Sequence, residues 1–179
     1  MRPSGRGRPG LVNATSAAVR GLDVDDIRTD LPERFHHRIL TLDSHTGGEA
    51  TRLIVRGLGR IPGQTMEDKR RYFMGNFDHI RLQLTREPRG DRDLLAALLT
   101  EATSDKGDFG LVFMDARRYP YLCGHATIGA VTTLIETGNI PAEGPERVVI
   151  VDTPSGPVKT TAHIHEDRVT SVATTAVPS

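Results

Sequence analysis

Leu122-Cys123-Gly124-His125-Ala126-Thr127-Ile128-Gly129 decides how this chain is read, because it sets the only cysteine at the mouth of a predicted helix. From Ala126 to Ile135 the residues are small or apolar, threonine is the sole polar type, and no charge appears before Glu136. A helix this apolar on all sides belongs inside a fold. Its first turn offers unpaired N–H groups and the positive end of the helix dipole, which stabilise a thiolate and attract a carboxylate. A cysteine so placed is expected to have its pKa lowered from about 8.5 toward neutrality. The competing reading is a packed core cysteine, the usual fate of an isolated thiol. The glycine and histidine beside Cys123 favour chemistry over packing.

Working outward, Asp108 to Met114 reads as a continuous apolar strand that leads through Arg117-Arg118-Tyr119-Pro120-Tyr121 to the cysteine. Gly138 suits the C-terminal cap of the helix. Beyond it, 147–152, 158–165 and 169–177 alternate as three strands, with Pro154-Ser155-Gly156 and Glu166-Asp167 as turns. Upstream, 39–43 and 51–56 read as a hairpin-like pair of strands around His45-Thr46-Gly47-Gly48. Thr65-Met66-Glu67-Asp68 is an imperfect capping box, since Asp stands where Glu or Gln is preferred. After it Met66, Lys69, Phe73, Phe77 and Ile80 recur at helical spacing, predicting an amphipathic helix over 66–83 that Pro88 and Gly90 terminate. A second short helix is expected at 92–103. The pattern is α+β: a mixed, mostly antiparallel sheet wrapped around one buried central helix.

With 179 residues the chain has room for one ordinary domain. Its 23 basic and 23 acidic side chains cancel, so no global field favours nucleic acid or an anionic membrane. No apolar run approaches the roughly 18–20 residues that span a bilayer. One cysteine excludes an intramolecular disulfide and fits a reducing, cytoplasmic compartment. None of the three lysines, Lys69, Lys106 and Lys159, sits where a cofactor Schiff base would form, and no cofactor is expected. Residues 1–37 differ in composition: 1–20 hold four arginines, several Gly, Pro and Ser, and no acid. They read as a disordered leader or a start codon placed too early, ahead of a folded domain at 38–179.

Cys123-Gly124-His125 resembles the first catalytic motif of the proline racemase family, which includes proline racemases, 4-hydroxyproline epimerases and trans-3-hydroxyproline dehydratases. Leu42-Asp43-Ser44-His45-Thr46-Gly47-Gly48-Glu49 resembles its N-terminal signature, and Lys69-Arg70-Arg71-Tyr72-Phe73 and Glu87-Pro88-Arg89-Gly90 follow in the family's order. The resemblance implies one half of a diaminopimelate-epimerase-like fold, in which two similar domains face each other across a cleft. It implies a cofactor-independent isomerase acting at the α-carbon of proline or a hydroxyproline. Cys123 would be one acid/base, the N–H groups of Gly124 and His125 would hold the substrate carboxylate, and Asp43, Ser44, His45, Thr46 and Gly47 would line the neighbouring wall. Inversion needs a base on one face and an acid on the other, each worth about 10²–10⁴-fold. The family's second motif, resembling Cys-Gly-Thr-Gly, is not found here, and one thiol cannot serve both faces of one carbon. The chain is therefore expected to be inactive alone and to require a C-terminal half, or else a homodimer that brings two Cys123 thiols together.

Both isomerases and dehydratases carry the first motif, so that choice stays open. Asp91 stands where hydroxyproline-acting members often show histidine after Glu-Pro-Arg-Gly, which places proline first. His45 is read equally as a turn residue or a catalytic one. His163 and His165 alternate on a strand and are taken as solvated edge residues, as are His36 and His37 at the boundary; no metal site is expected. A Cys123–His125 hydrolase is disfavoured because residues so near in sequence rarely meet in the needed geometry. The non-enzyme alternative is a relic half-domain that binds small imino acids or another subunit.

Overall fold

The computed structural model describes residues 37–175, together with Pro32, Arg34 and Phe35. The leader read over 1–37 falls outside these apart from Pro32, Arg34, Phe35 and His37, as do the last two residues of the strand expected to reach Val177. The compact unit that opens at His37 holds every regular element. These are β1 (Leu40–Thr46), β2 (Glu49–Arg56), α1 (Met66–Thr85), β3 (Leu95–Thr100), β4 (Phe109–Met114), α2 (Gly124–Glu136), β5 (Glu146–Thr153), β6 (Gly156–His165) and β7 (Arg168–Thr175). The strands form one seven-stranded sheet in sequence order. Four pairings are antiparallel, and β2–β3 and β4–β5 are parallel.

Each parallel pair is bridged by a helix, and the two pairs run in opposite directions because β3 and β4 are antiparallel. Right-handed crossovers then put the two helices on opposite faces of the sheet. The core divides accordingly. Leu53, Leu95, Ala97, Leu111, Phe113, Val149 and Val151 pack against α2, whereas Ile54, Ala96, Leu98, Val112 and Met114 pack with Phe73, Ile80 and Leu84 of α1. α2 touches strands from both edges of the sheet, β1 and β7, as well as β2, β3 and β6, so sheet and helix make an α+β half-barrel.

Two expectations are corrected here. Residues 92–103 form no helix; Leu95–Thr100 is a central strand. Its Leu and Ala residues are strong helix formers, but both faces are covered by helices, and a six-residue run buried on both sides is satisfied by a strand. α2 is not buried all round: Ala126, Ala130, Val131, Leu134 and Ile135 are buried, while Ile128, Thr132 and Thr133 are half-buried. That strip lies between β1 and β7, which do not pair with each other.

Local chemistry sets the ends. The hairpin turn is two residues, Gly47 (φ +59) and Gly48 (φ +97), and successive positive φ angles are what a tight turn between twisted strands requires. The capping box at α1 closes despite its aspartate: Thr65 Oγ1 accepts from Asp68 N, and Thr65 N donates to Asp68 Oδ2, both at 3.1 Å. α1 kinks at Phe77 (φ −127, ψ 17) and runs two residues past its expected end. Gly138 takes φ +73 just past α2 and donates to Ile135 O. Leu111 is wholly buried in β4 on the α2 side. Leu111→Ala is expected to lower the unfolding free energy by about 2–5 kcal/mol, read from denaturant titration of the intact chain.

Candidate active site

Cys123 is the N-cap of α2, with extended backbone (φ −143, ψ 113). Its carbonyl accepts from Thr127 N at 3.0 Å and from Thr127 Oγ1 at 2.8 Å, which fixes the cap. The sulfur is half-buried and unpaired with any other thiol. It lies 3.3 Å from Nδ1 and 3.8 Å from Nε2 of His125, so the two side chains are in contact. They meet because cap and second helical residue both project from the open end of α2.

The electrostatics reverse a second expectation. Burial pushes the Cys123 thiol up, not down. The backbone N–H groups of Ala126 and His125 pull it back, though neither makes a complete cap bond to the sulfur, and the carboxylates of Glu49 and Asp115 raise it further. A helix N-terminus helps a thiolate only as far as desolvation and neighbouring acids allow.

The loop that delivers Cys123 is held by cations that the sequence reading did not single out. Arg70 Nε donates to Tyr119 O at 3.1 Å, Arg81 Nη1 to Asp115 O at 2.9 Å, and Arg86 to Ala116 O through Nε (3.1 Å) and Nη2 (2.9 Å). The Arg70 guanidinium also lies 4.1 Å from the centroid of the Tyr121 ring. Asp78 takes Arg81 at 2.7 Å and the Tyr119 hydroxyl at 2.8 Å, which keeps that carboxyl below the ordinary carboxylate range. The available signal was Arg70, which sits in a motif already noted.

The predicted wall splits in two. Ser44 and Thr46 lie on the α2 face: Thr46 Oγ1 donates to His125 O at 3.0 Å, tying the hairpin to the first turn of α2. A Cβ on Gly129 would lie 3.3–3.4 Å from the hydroxyls of Ser44, Thr51 and Thr46, so this glycine admits the hairpin against the helix. Asp43 goes elsewhere. It is gripped by Arg52 Nε and Nη2, the latter at 2.6 Å, and Arg52 also donates to the carbonyls of Leu84 and Arg89 at the end of α1. Arg52 alternates along β2 with Thr51 and Leu53, so this cluster sits on the α1 face, where it lowers the Asp43 pKa. His45 Nδ1 accepts from Gly48 N at 3.3 Å in the exposed turn, and Gly47 is the turn itself. Asp91 Oδ1 accepts from Asp93 N and Leu94 N, shaping the entry to β3. His163 is not an edge residue: β6 lies between β5 and β7, and its Nδ1 is 3.2 Å from Glu146. Among the described residues no three His, Cys, Asp or Glu side chains converge as a metal site would need.

With this geometry in place, the comparisons decide the family. The proline racemase family model matches residues 41–179. The chain belongs to the proline racemase family. It is 38% identical over 146 residues to the proline racemase of Acetoanaerobium sticklandii, covering 82% of this chain and 44% of that protein. It is 37% identical over 139 residues to a trans-3-hydroxy-L-proline dehydratase of Bacillus thuringiensis subsp. konkukian, covering 78% and 42%. Among solved structures, a hydroxyproline epimerase from Agrobacterium vitis, with trans-4-hydroxy-L-proline bound, superposes with a TM-score of 0.73 at 30% identity, over 78% of this chain and 42% of that one. The chain thus spans less than half the length of these relatives.

Two outcomes test the site. The alkylation rate of Cys123 by iodoacetamide should reach its half-maximum above the free-thiol pKa of about 8.5, since the thiolate is the reactive form; a midpoint near neutrality would contradict the burial argument. Arg86→Met, which removes both donors to Ala116 O, should cost about 1–3 kcal/mol and speed alkylation by loosening the loop.

Proposed function

We propose that residues 41–179 are the N-terminal catalytic half of a cofactor-independent racemase or epimerase acting at the α-carbon of proline or a hydroxyproline. In this reading the half-barrel, its sheet wrapped about α2, is one lobe of a two-lobed diaminopimelate-epimerase-like fold. The observation that carries it is Cys123 at the N-cap of α2, beside Gly124 and His125, in a chain matching the family from residue 41 onward. The free N–H groups of the first turn, those of Gly124 and His125 foremost, hold the substrate carboxylate, and Gly124 leaves open space for its approach. Cys123, its thiol raised by burial, is one member of the acid/base pair at the α-carbon. The opposite face of the carbon is served by a group outside these residues, because a single thiol reaches only one face. Ser44 and Thr46 brace the site from the hairpin. Asp43, His45 and Gly47 act at a distance by shaping it.

A second reading, dehydration of trans-3-hydroxy-L-proline, is supported by the comparable identity to the dehydratase. It shares α-proton removal and differs in losing water from the adjoining carbon.

The test is α-proton exchange of L-proline and trans-3-hydroxy-L-proline in D₂O, with this chain alone and then with a family C-terminal half. Exchange is expected only when both halves are present, and to vanish in Cys123→Ala. Deuterated D-proline marks an isomerase; water loss marks a dehydratase. No exchange from two folded, associated halves would favour the relic imino-acid-binding domain instead.

A further inference from the structure

The half-barrel has a second mouth, at the end of α2 remote from Cys123. The helix has 13 residues and is thus about 20 Å long. Where it ends, Leu134 and the turn through Ile140 and Pro141 border an open groove of about 720 Å³ against the inner face of the sheet. Its lining is mixed: Val55, Leu99 and Val149 give it an apolar floor, and Thr100, Glu101, Asp108 and Asn139 stand among the polar groups around it. Arg147 also lines it.

Arg147 is out of place by every local rule. Along β5 it alternates with the exposed Glu146 and Val148 and shares the inward face with Val149 and Val151, both core residues beneath α2. Its Nε is fully buried and has no hydrogen-bond partner, and no ion pair among the described residues includes it. The other charges on the groove wall are engaged. Arg60 pairs with Glu101 at 3.1 Å, Glu101 also takes Lys69 at 3.2 Å, and Asp108 Oδ2 accepts from Ile150 N at 2.7 Å. The negative end of α2 is blunted as well, because Gly138 N and Ile140 N cap the carbonyls of Ile135 and Leu134. Arg147, half-buried, is left with its Nε buried and unmet at the wall of this groove, which Asp108 also lines.

Leaving a buried donor unmet is costly, and a guanidinium meets a carboxylate with matched, paired geometry. A groove of this size, with an apolar floor and a cation at its wall, suits a small amphipathic ligand with one fixed polar contact. We propose that this groove is a binding site for an amphipathic monocarboxylate, its carboxylate on Arg147 and its aliphatic body against Leu134, Ile140 and Val149. The site is separate from the one around Cys123 and does not depend on the reaction assigned there.

The test titrates hexanoate, and in parallel hexanol, into the intact 179-residue chain by calorimetry and by amide chemical-shift mapping. Hexanoate is expected to bind about tenfold or more tightly than hexanol, with shifts at 134–149 and at the groove-lining residues of β2, β3 and β4 such as Val55, Leu99 and Phe109, and absent at 123–126. Arg147→Gln should abolish that preference, while Cys123→Ala and saturating L-proline leave it unchanged. Equal binding of acid and alcohol, shifts centred on the first turn of α2, or no saturation by hexanoate in the unsubstituted chain would each overturn the proposal. The shift map is read on the unsubstituted chain, so the proposal stays testable if Arg147→Gln fails to fold.

Discussion

Guanidinium groups bound to main-chain carbonyls hold this structure in its working shape. Arg70, Arg81 and Arg86 extend from α1 and its end to the carbonyls of Asp115, Ala116 and Tyr119, the loop between β4 and α2. Arg52 repeats the device at the C-terminal end of α1, binding Leu84 O and Arg89 O while clamped to Asp43. A loop has no ladder to satisfy its carbonyls, and water would otherwise do so with no positional preference. A charged, planar donor on a packed helix replaces that water with fixed geometry. Arg81 shows the cost and its remedy: buried almost completely, it keeps Asp78 as counter-ion and Tyr119 as a ring partner at 5.3 Å.

The brace crosses the sheet. α1 and α2 lie on opposite faces because their parallel strand pairs run in opposite directions, so nothing in α1 packs beneath the candidate site. The link is made at the ends of the strands, where the 115–122 loop turns over the sheet from the α1 side to the α2 side. The hairpin contributes from the other flank through Thr46 and His125 O. Cys123 is therefore positioned by elements from both faces, and a change in α1 that leaves the core intact can still move the sulfur.

Much of this was legible in the residues. The two-residue hairpin, the capping box, the helix behind Cys123 and the three closing strands follow from glycine placement, short polar caps and alternation, all of which act within a few residues. What the chain concealed depends on distant partners. The stretch 92–103 reads as helix in isolation, yet Leu95–Thr100 within it becomes a strand because helices cover both its faces. Asp43 belongs to a motif that points at the site, yet its carboxylate turns to Arg52 on the reverse face, since period-two alternation sends neighbours in β1 to opposite sides. The thiol's direction of shift was misread for a similar reason: the helix N-terminus is local and visible, while burial and the approach of Glu49 and Asp115 are not.

That reversal bears on the proposed chemistry. Two groups that exchange a proton across one α-carbon must differ in protonation at rest, or one face has no base and the other no acid. A thiol lowered toward neutrality by its own helix would rest as the base and require a neutral partner. Burial, with Glu49 and Asp115 as lesser contributors, pushes the Cys123 thiol the other way. A carboxylate bound at the first turn adds negative charge beside the sulfur and strengthens the same preference. Under the proposed reading, that direction suits Cys123 to the protonated role in one sense of the reaction, and the group on the opposite face would take the ionised role.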